Sequence, residues 1–198
     1  MQQRKSEMAA WLLGAVVLSG CPVSSQAAGD RTFHNDEFGM RVTFPAGGKV
    51  CPALSGDHAH GFYAWYHAQS TLCGSTHVDP AASSLSLYAS YNSAFWKTPW
   101  EELQPSCQTA KPMAAQRNLS FKGYRSVSCI SRKADGVIEV DVVAFTGRWK
   151  GADTSSDPDL QTPYLSYRAS LTTTSGRFER DMVLFRIFLA KIDIRPPQ

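Results

Sequence analysis

The sequence predicts an α+β domain: a twisted antiparallel β-sheet with a C-terminal helix packed on one face, braced by two disulfides. Three observations lead there. Apolar and polar residues alternate in segment after segment between turn signals, the period of half-buried strands. Near the C-terminus that period gives way to Asp181–Ala190, where Leu184, Phe185, Phe188 and then Ile192 recur at helical spacing with Arg186 and Lys191 outside the stripe. Beyond the N-terminal leader the chain keeps four cysteines, Cys51, Cys73, Cys107 and Cys129, an even set. At 198 residues, 43% hydrophobic and 19% charged, the chain is of single-domain size and too apolar for disorder; 14 Gly and 11 Pro exclude a collagen-like chain. A net charge of +3 without a basic stripe gives no reason to expect a nucleic-acid partner.

The elements follow in order. Arg4 and Lys5 precede Trp11–Leu18, an apolar run too short to cross a bilayer, so residues 1–20 read as an export signal. Residues 21–30 are small and polar and read as a flexible tether with a mean reach of about 15–20 Å. Residues 31–198 then form one globular domain. Removing residues 1–20 takes away Arg4, Lys5 and Glu7 and leaves a net charge of +2. Met40–Phe44 alternates and stops at Pro45; Gly61–Tyr66 and Leu119–Lys122 are weaker strand candidates. Ser84–Tyr91 alternates throughout, with Leu85, Leu87, Ala89 and Tyr91 on the face expected to be buried and the other face expected to be wet. Pro99–Leu103 reads as a short helical turn with Thr98 as N-cap, Pro99 in the first position and Glu101 and Glu102 near the positive end of the dipole. Tyr124–Arg132 and Val137–Gly147 flank Ala134-Asp135-Gly136, a hairpin signal because Asp-Gly accepts positive φ. In the second arm Ile138, Val140, Val142 and Ala144 share a face and Glu139 and Asp141 point away; Leu165, Tyr167, Ala169 and Leu171 repeat the pattern. Gly151–Pro163 reads as a polar loop. For the closing segment a strand is the alternative, given Val183 and Ile187.

Leu18-Ser19-Gly20-Cys21 resembles the lipobox of bacterial lipoprotein signal peptides. That resemblance implies lipidation of Cys21 with fatty acyl chains such as palmitate, and a place in the bacterial envelope, facing the periplasm. Each buried methylene of an acyl chain contributes about 0.8 kcal/mol, so several chains hold a protein at a membrane without a spanning helix. Ordinary secretion with cleavage after Ala27 is the alternative, since Ser25-Gln26-Ala27 is an acceptable small-residue site. Phe33-His34-Asn35-Asp36-Glu37-Phe38-Gly39-Met40-Arg41-Val42-Thr43-Phe44-Pro45 resembles the first strand pair of many small envelope lipoproteins, with Met40 where an aromatic is usual. Phe178 to Ile192 is similar to the last helix of PsbP-like α+β domains. These resemblances imply architecture and location and carry no catalytic residues.

Cys51 and Cys73 are separated by 22 residues, as are Cys107 and Cys129, so two local bridges are the simplest of three connectivities. Each bridge is worth roughly 3 kcal/mol by chain entropy. No C-x-x-C occurs, and exported cysteines are usually oxidised, which disfavours a metal reading. Four of five histidines fall between His58 and His77, with Asp57-His58-Ala59-His60 the densest piece. A zinc or copper site could use such residues, but no second ligand cluster completes one, so no metal and no cofactor are expected. Phe44–Val50 lacks the leading glycine and the hydroxyl residue of a phosphate loop and reads as a turn.

Phe95, Trp96 and Trp100 form an aromatic group on a connection; Tyr63, Trp65 and Tyr66 lie beside the histidine-rich loop. Such residues serve either as a satellite core or as interface anchors. The candidate binding surface is therefore Asp57, His58, His60, Tyr63, Trp65, Trp96 and Trp100, with no catalytic residue assigned. The expected function is that of a non-catalytic envelope lipoprotein: an immunity or inhibitor protein that binds a secreted antibacterial toxin in the periplasm. The alternatives are a structural accessory of an envelope or secretion complex, and a periplasmic hydrolase using Asp57 with His58 or His60.

Overall fold

A computed structural model describes residues 31–52, 60–68, 73, 82–108, 111–112, 119–133, 135–146, 156 and 164–195. Cys21, Asp57, His58, His77 and, apart from Ser156, the loop 151–163 lie outside the described residues. The described chain runs β1 (Arg31–Asn35), β2 (Met40–Phe44), β3 (Lys49–Pro52), β4 (His60–Tyr66), β5 (Ser83–Tyr91), α1 (Pro99–Gln108), β6 (Lys111–Pro112), β7 (Ser126–Arg132), β8 (Val137–Phe145), β9 (Leu165–Thr174), α2 (Phe178–Ala190) and β10 (Ile192–Ile194). This is the expected α+β class, built from two antiparallel sheets: β1-β2-β10, and β3-β4-β5-β9-β8-β7-β6.

The period of two decides how the large sheet is covered. Leu85, Leu87 and Ala89 of β5 pair with Leu171, Ala169 and Tyr167 of β9, which pair in turn with Val140, Val142 and Ala144 of β8. These side chains bury one face, and α2 and the small sheet close over it with Phe38, Met40, Val42, Phe44, Phe178, Met182, Phe185, Phe188 and Leu189. The Phe44 and Phe188 rings meet at 4.9 Å. Two buried or half-buried tyrosines stitch the layers: Tyr167 donates to the Phe38 carbonyl (2.6 Å) and Tyr124 to that of Ile194 (3.0 Å). Burial raises the pKa of both phenols, so they remain donors at any physiological pH.

Several details depart from the sequence expectation. The turn read over Phe44–Val50 is confined to residues 45–48, since Phe44 ends β2 and Lys49 opens β3. The helix begun by Pro99 continues to Gln108 through Pro105, whose ring nitrogen has no N–H for the carbonyl four residues back. It lies on the second face of the large sheet, where Leu103 and Cys107 pack on Cys129 and Val143. That face is therefore not wholly wet, and Asp141, although it points away from the main core, is buried beneath the helix region. In α2 the buried stripe is Phe178, Asp181, Met182, Phe185, Phe188 and Leu189; Leu184 is half-buried, and Ile192 is buried in β10, opposite Val42. Leu119–Lys122 forms no strand, although Leu119 and Phe121 are buried in the main core. At the β7–β8 hairpin Gly136 does take positive φ (83°), and its N–H donates to the Lys133 carbonyl (3.1 Å). The bridges pair Cys51 with Cys73 and Cys107 with Cys129, the local connectivity, with Cα separations of 5.5 and 6.1 Å.

Candidate binding surface

Strand β4 distributes the expected contact residues over both faces of the large sheet. Tyr63 and Trp65 have odd numbers and His60 an even one, so alternation sends them to opposite sides. His60 packs on the Phe38 ring (4.8 Å) at the main-core side, while Tyr63 and Trp65 meet edge to face at 5.9 Å on the other. His60 and these aromatics do not form one patch. Tyr88 joins Tyr63 and Trp65 on the second face, over Gly61: a β-carbon there would lie 2.9 Å from the Tyr88 ring and 2.0 Å from the Leu87 carbonyl oxygen. Burial, and secondarily the Tyr63 phenol, raises the Tyr88 pKa.

His60 is instead tied to the region of the tryptophans. Its Nδ1 is 3.4 Å from one oxygen of Glu37, in the β1–β2 turn, and the other oxygen of Glu37 accepts from the Tyr91 hydroxyl (3.1 Å). Burial, the Glu37 charge and this hydrogen bond push the Tyr91 pKa up to about 12. The next residue, Asn92, is 4% exposed and clamps the loop that follows. Its side-chain amide donates to the Trp96 carbonyl (2.7 Å) and its side-chain oxygen accepts from the Trp96 N–H (3.0 Å). The Asn92 carbonyl accepts from the Phe95 N–H (2.9 Å). Thr98 then caps α1 through the Glu101 N–H (3.3 Å), and the Glu101 carboxylate reaches back to the Lys97 N–H (2.9 Å).

The clamp produces a knob. Phe95 is 55% exposed and Trp100 40%, and Trp96 is half-buried between them in sequence. Phe95 adopts φ 55°, a left-handed conformation that costs a non-glycine residue about 1–2 kcal/mol. An aromatic side chain held out in a strained turn gains little from burial in its own domain. Strain of this kind persists where surrounding structure over-determines it, and it clusters at binding sites. Aromatic density in the sequence points to Trp96 and Trp100; Phe95, although in the same aromatic group, stood outside the candidate surface, and so did Asn92. The signal for Asn92 was present: an asparagine directly after an alternating strand is a turn former.

Beneath α1 a polar network fixes the root of the knob. Glu102 accepts from Ser166 (2.5 Å); Arg168 donates to Ser106 (2.9 Å) and to Asp141 (3.2 Å), and Ser170 also donates to Asp141. Burial raises the Glu102 pKa and Asp141 adds to the rise, while the Ser166 hydrogen bond and Arg168 oppose it. A second buried carboxylate, Asp181, accepts from Ser83 and Thr173 (both 2.5 Å), with His67 Nε2 at 3.7 Å. Ser83 and His67 approach different oxygens of this carboxylate, Oδ2 and Oδ1. The cluster stitches the first turn of α2 to the ends of β5 and β9. Among the described residues no three His, Cys, Asp or Glu side chains converge as a metal site. Compared with known proteins, the chain matches no family model and no curated protein.

Proposed function

We propose that the chain is a non-catalytic, lipid-anchored envelope protein of the immunity or inhibitor type, which captures a secreted toxin in the periplasm with the Phe95–Trp100 knob. The observation that carries this reading is the exposed, strained Phe95 held by the Asn92 clamp. Large rigid aromatics lose little rotamer entropy on docking and fill a partner's pocket, which is how a few residues come to dominate an interface. The Cys107–Cys129 bridge and the Glu102–Ser166 contact support it by holding α1, and with it Trp100, in place before the partner arrives. Lipidation at Cys21, inferred from the lipobox resemblance, would keep the knob within tether reach of the bilayer.

Deletion of the gene should sensitise cells to a competitor strain that secretes the cognate toxin. The wild-type gene should restore survival, and Phe95→Ala/Trp100→Ala, expressed to the same level, should not. Full protection by the double variant would remove the knob from the mechanism. Metabolic labelling with palmitate, lost in Cys21→Ser, tests the anchor separately.

A further inference from the structure

Among the described residues, four large apolar side chains stand out as exposed: Phe95 and Trp100 on the knob, and Val183 and Ile187 on α2. The second pair does not belong to the knob. Val183, Ile187 and Ala190 recur along the outward side of α2, with Arg180 on one flank and Arg186 on the other, all of them exposed. Glu179, in the first turn and four residues before Val183 on the same side, is the one exposed acid of that helix; Asp181 is turned inward, 3.8 Å from the Arg180 guanidinium. Alongside the last turns of α2 lies a cavity of about 510 Å³ lined by Leu119, Ser120, Lys122, Arg186, Leu189 and Ala190. Among the described lining residues two are cations, one is a serine, three are apolar and none is an acid.

We propose that this face, the outer side of α2 together with Lys122, docks on an anionic phospholipid surface, with a headgroup phosphate between Lys122 and Arg186. Three features fit that occupant. Exposed apolar residues flanked by arginines match the boundary of a bilayer, where the apolar pair enters the headgroup region and the cations meet phosphate. The cavity offers two cationic donors for one phosphate and, in Leu119, Leu189 and Ala190, apolar contacts for the adjoining carbons. The tether joins the fold at Arg31, the first residue of β1, and the small sheet belongs to the same layer as α2 through the Phe44–Phe188 contact. A short tether therefore pulls on the layer that carries this face. The knob, by contrast, leads into α1 on the other face of the large sheet. The charge and apolarity of the α2 surface are independent of the anchor; only the pull of the tether rests on the anchoring reading.

The test uses residues 22–198, which contain every core residue and lack both the signal and Cys21, so that no acyl chain contributes. This protein should co-sediment with vesicles containing phosphatidylglycerol and not with vesicles of phosphatidylcholine alone, and the binding should weaken as salt is raised. Lys122→Glu/Arg186→Glu should reduce binding at least ~10-fold, since each basic residue near an anionic surface carries an appreciable share of the attraction. Val183→Ser/Ile187→Ser should reduce it less. All four positions are exposed, and unchanged melting temperatures verify that the variants fold. Phe95→Ala/Trp100→Ala should bind vesicles as wild type does, which separates failure here from failure of the knob. Absence of binding to phosphatidylglycerol vesicles, or equal binding by Lys122→Glu/Arg186→Glu, overturns the proposal.

Discussion

The two helices cover opposite faces of the same sheet and are held there by different forces. α2 inserts Phe178, Met182, Phe185, Phe188 and Leu189 into the main core, and burial of a large apolar side chain contributes about 1.5–3 kcal/mol. α1 offers the second face Leu103 and a half-cystine, interrupts its own hydrogen bonding with Pro105, and is retained by a disulfide and by contacts of Glu102 and Ser106 to β9. Packing alone can seat a helix whose stripe is aromatic. A helix that buries only one leucine and a half-cystine needs a covalent staple, and the staple spares its other residues from the core.

Removing an aromatic from the α2 side should therefore give the largest effect. Phe185→Ala should cost about 3–5 kcal/mol in urea unfolding, because a fully buried ring leaves a cavity that the two sheets cannot collapse to fill. A loss under ~1 kcal/mol would mean that α2 is not seated by packing, and the contrast with α1 would vanish. Next comes the staple: Cys107→Ser/Cys129→Ser should cost roughly 3 kcal/mol for a bridge closing a loop of this length. It should also weaken partner binding, since α1 carries Trp100. If stability falls and affinity does not, the knob is positioned by Asn92 alone.

A smaller effect tests the polar ties of α1. Because burial raises the Glu102 pKa above 4.5, the folded state holds this proton more tightly than the unfolded chain does. Stability from this group is thus complete below the unfolded pKa and declines as pH rises from about 4.5 through the folded value. Glu102→Gln keeps an acceptor for Ser166 and removes the titration. Melting temperatures followed from about pH 4 to 8 should decline less steeply with pH for the variant than for wild type. Parallel profiles would show that Glu102 is solvated rather than held under α1.

Much of this architecture was legible in the sequence because alternation reports directly on a half-buried strand; β2, β5, β8 and β9 announce themselves that way, β7 through the Asp-Gly hairpin signal, and β4 only weakly. What escaped had tertiary causes. Ile192 lies four residues after Phe188 and so continues a helical stripe on paper, yet its backbone pairs with Val42 and ends the helix. Pro105 argues for a helix stop, and the contacts of α1 to β7, β8 and β9 outweigh it. Of the candidate surface, aromatic density disclosed Trp96 and Trp100, whereas the strained φ of Phe95 and the two-pronged Asn92 clamp exist only in the folded loop. The separation of His60 from Tyr63 and Trp65 follows from parity along one strand, a signal as plain as the one that found the strand.

The smallest expected change in stability is also the most discriminating between the two helical regions. Phe95→Gly removes the strain of φ 55°, worth about 1–2 kcal/mol, and incurs roughly 0.5–1 kcal/mol of extra backbone entropy. The lost side chain was more than half exposed, so little burial goes with it. Stability should stay within about 1 kcal/mol of wild type, while Phe95→Ala keeps the strained turn and gains nothing. Partner affinity should fall by ~30-fold or more in both variants, the loss typical of a central aromatic anchor. Near-native melting with lost affinity marks a residue retained for an external pocket. A drop in stability approaching that of Phe185→Ala would instead make Phe95 part of the fold, and the knob would be packing after all.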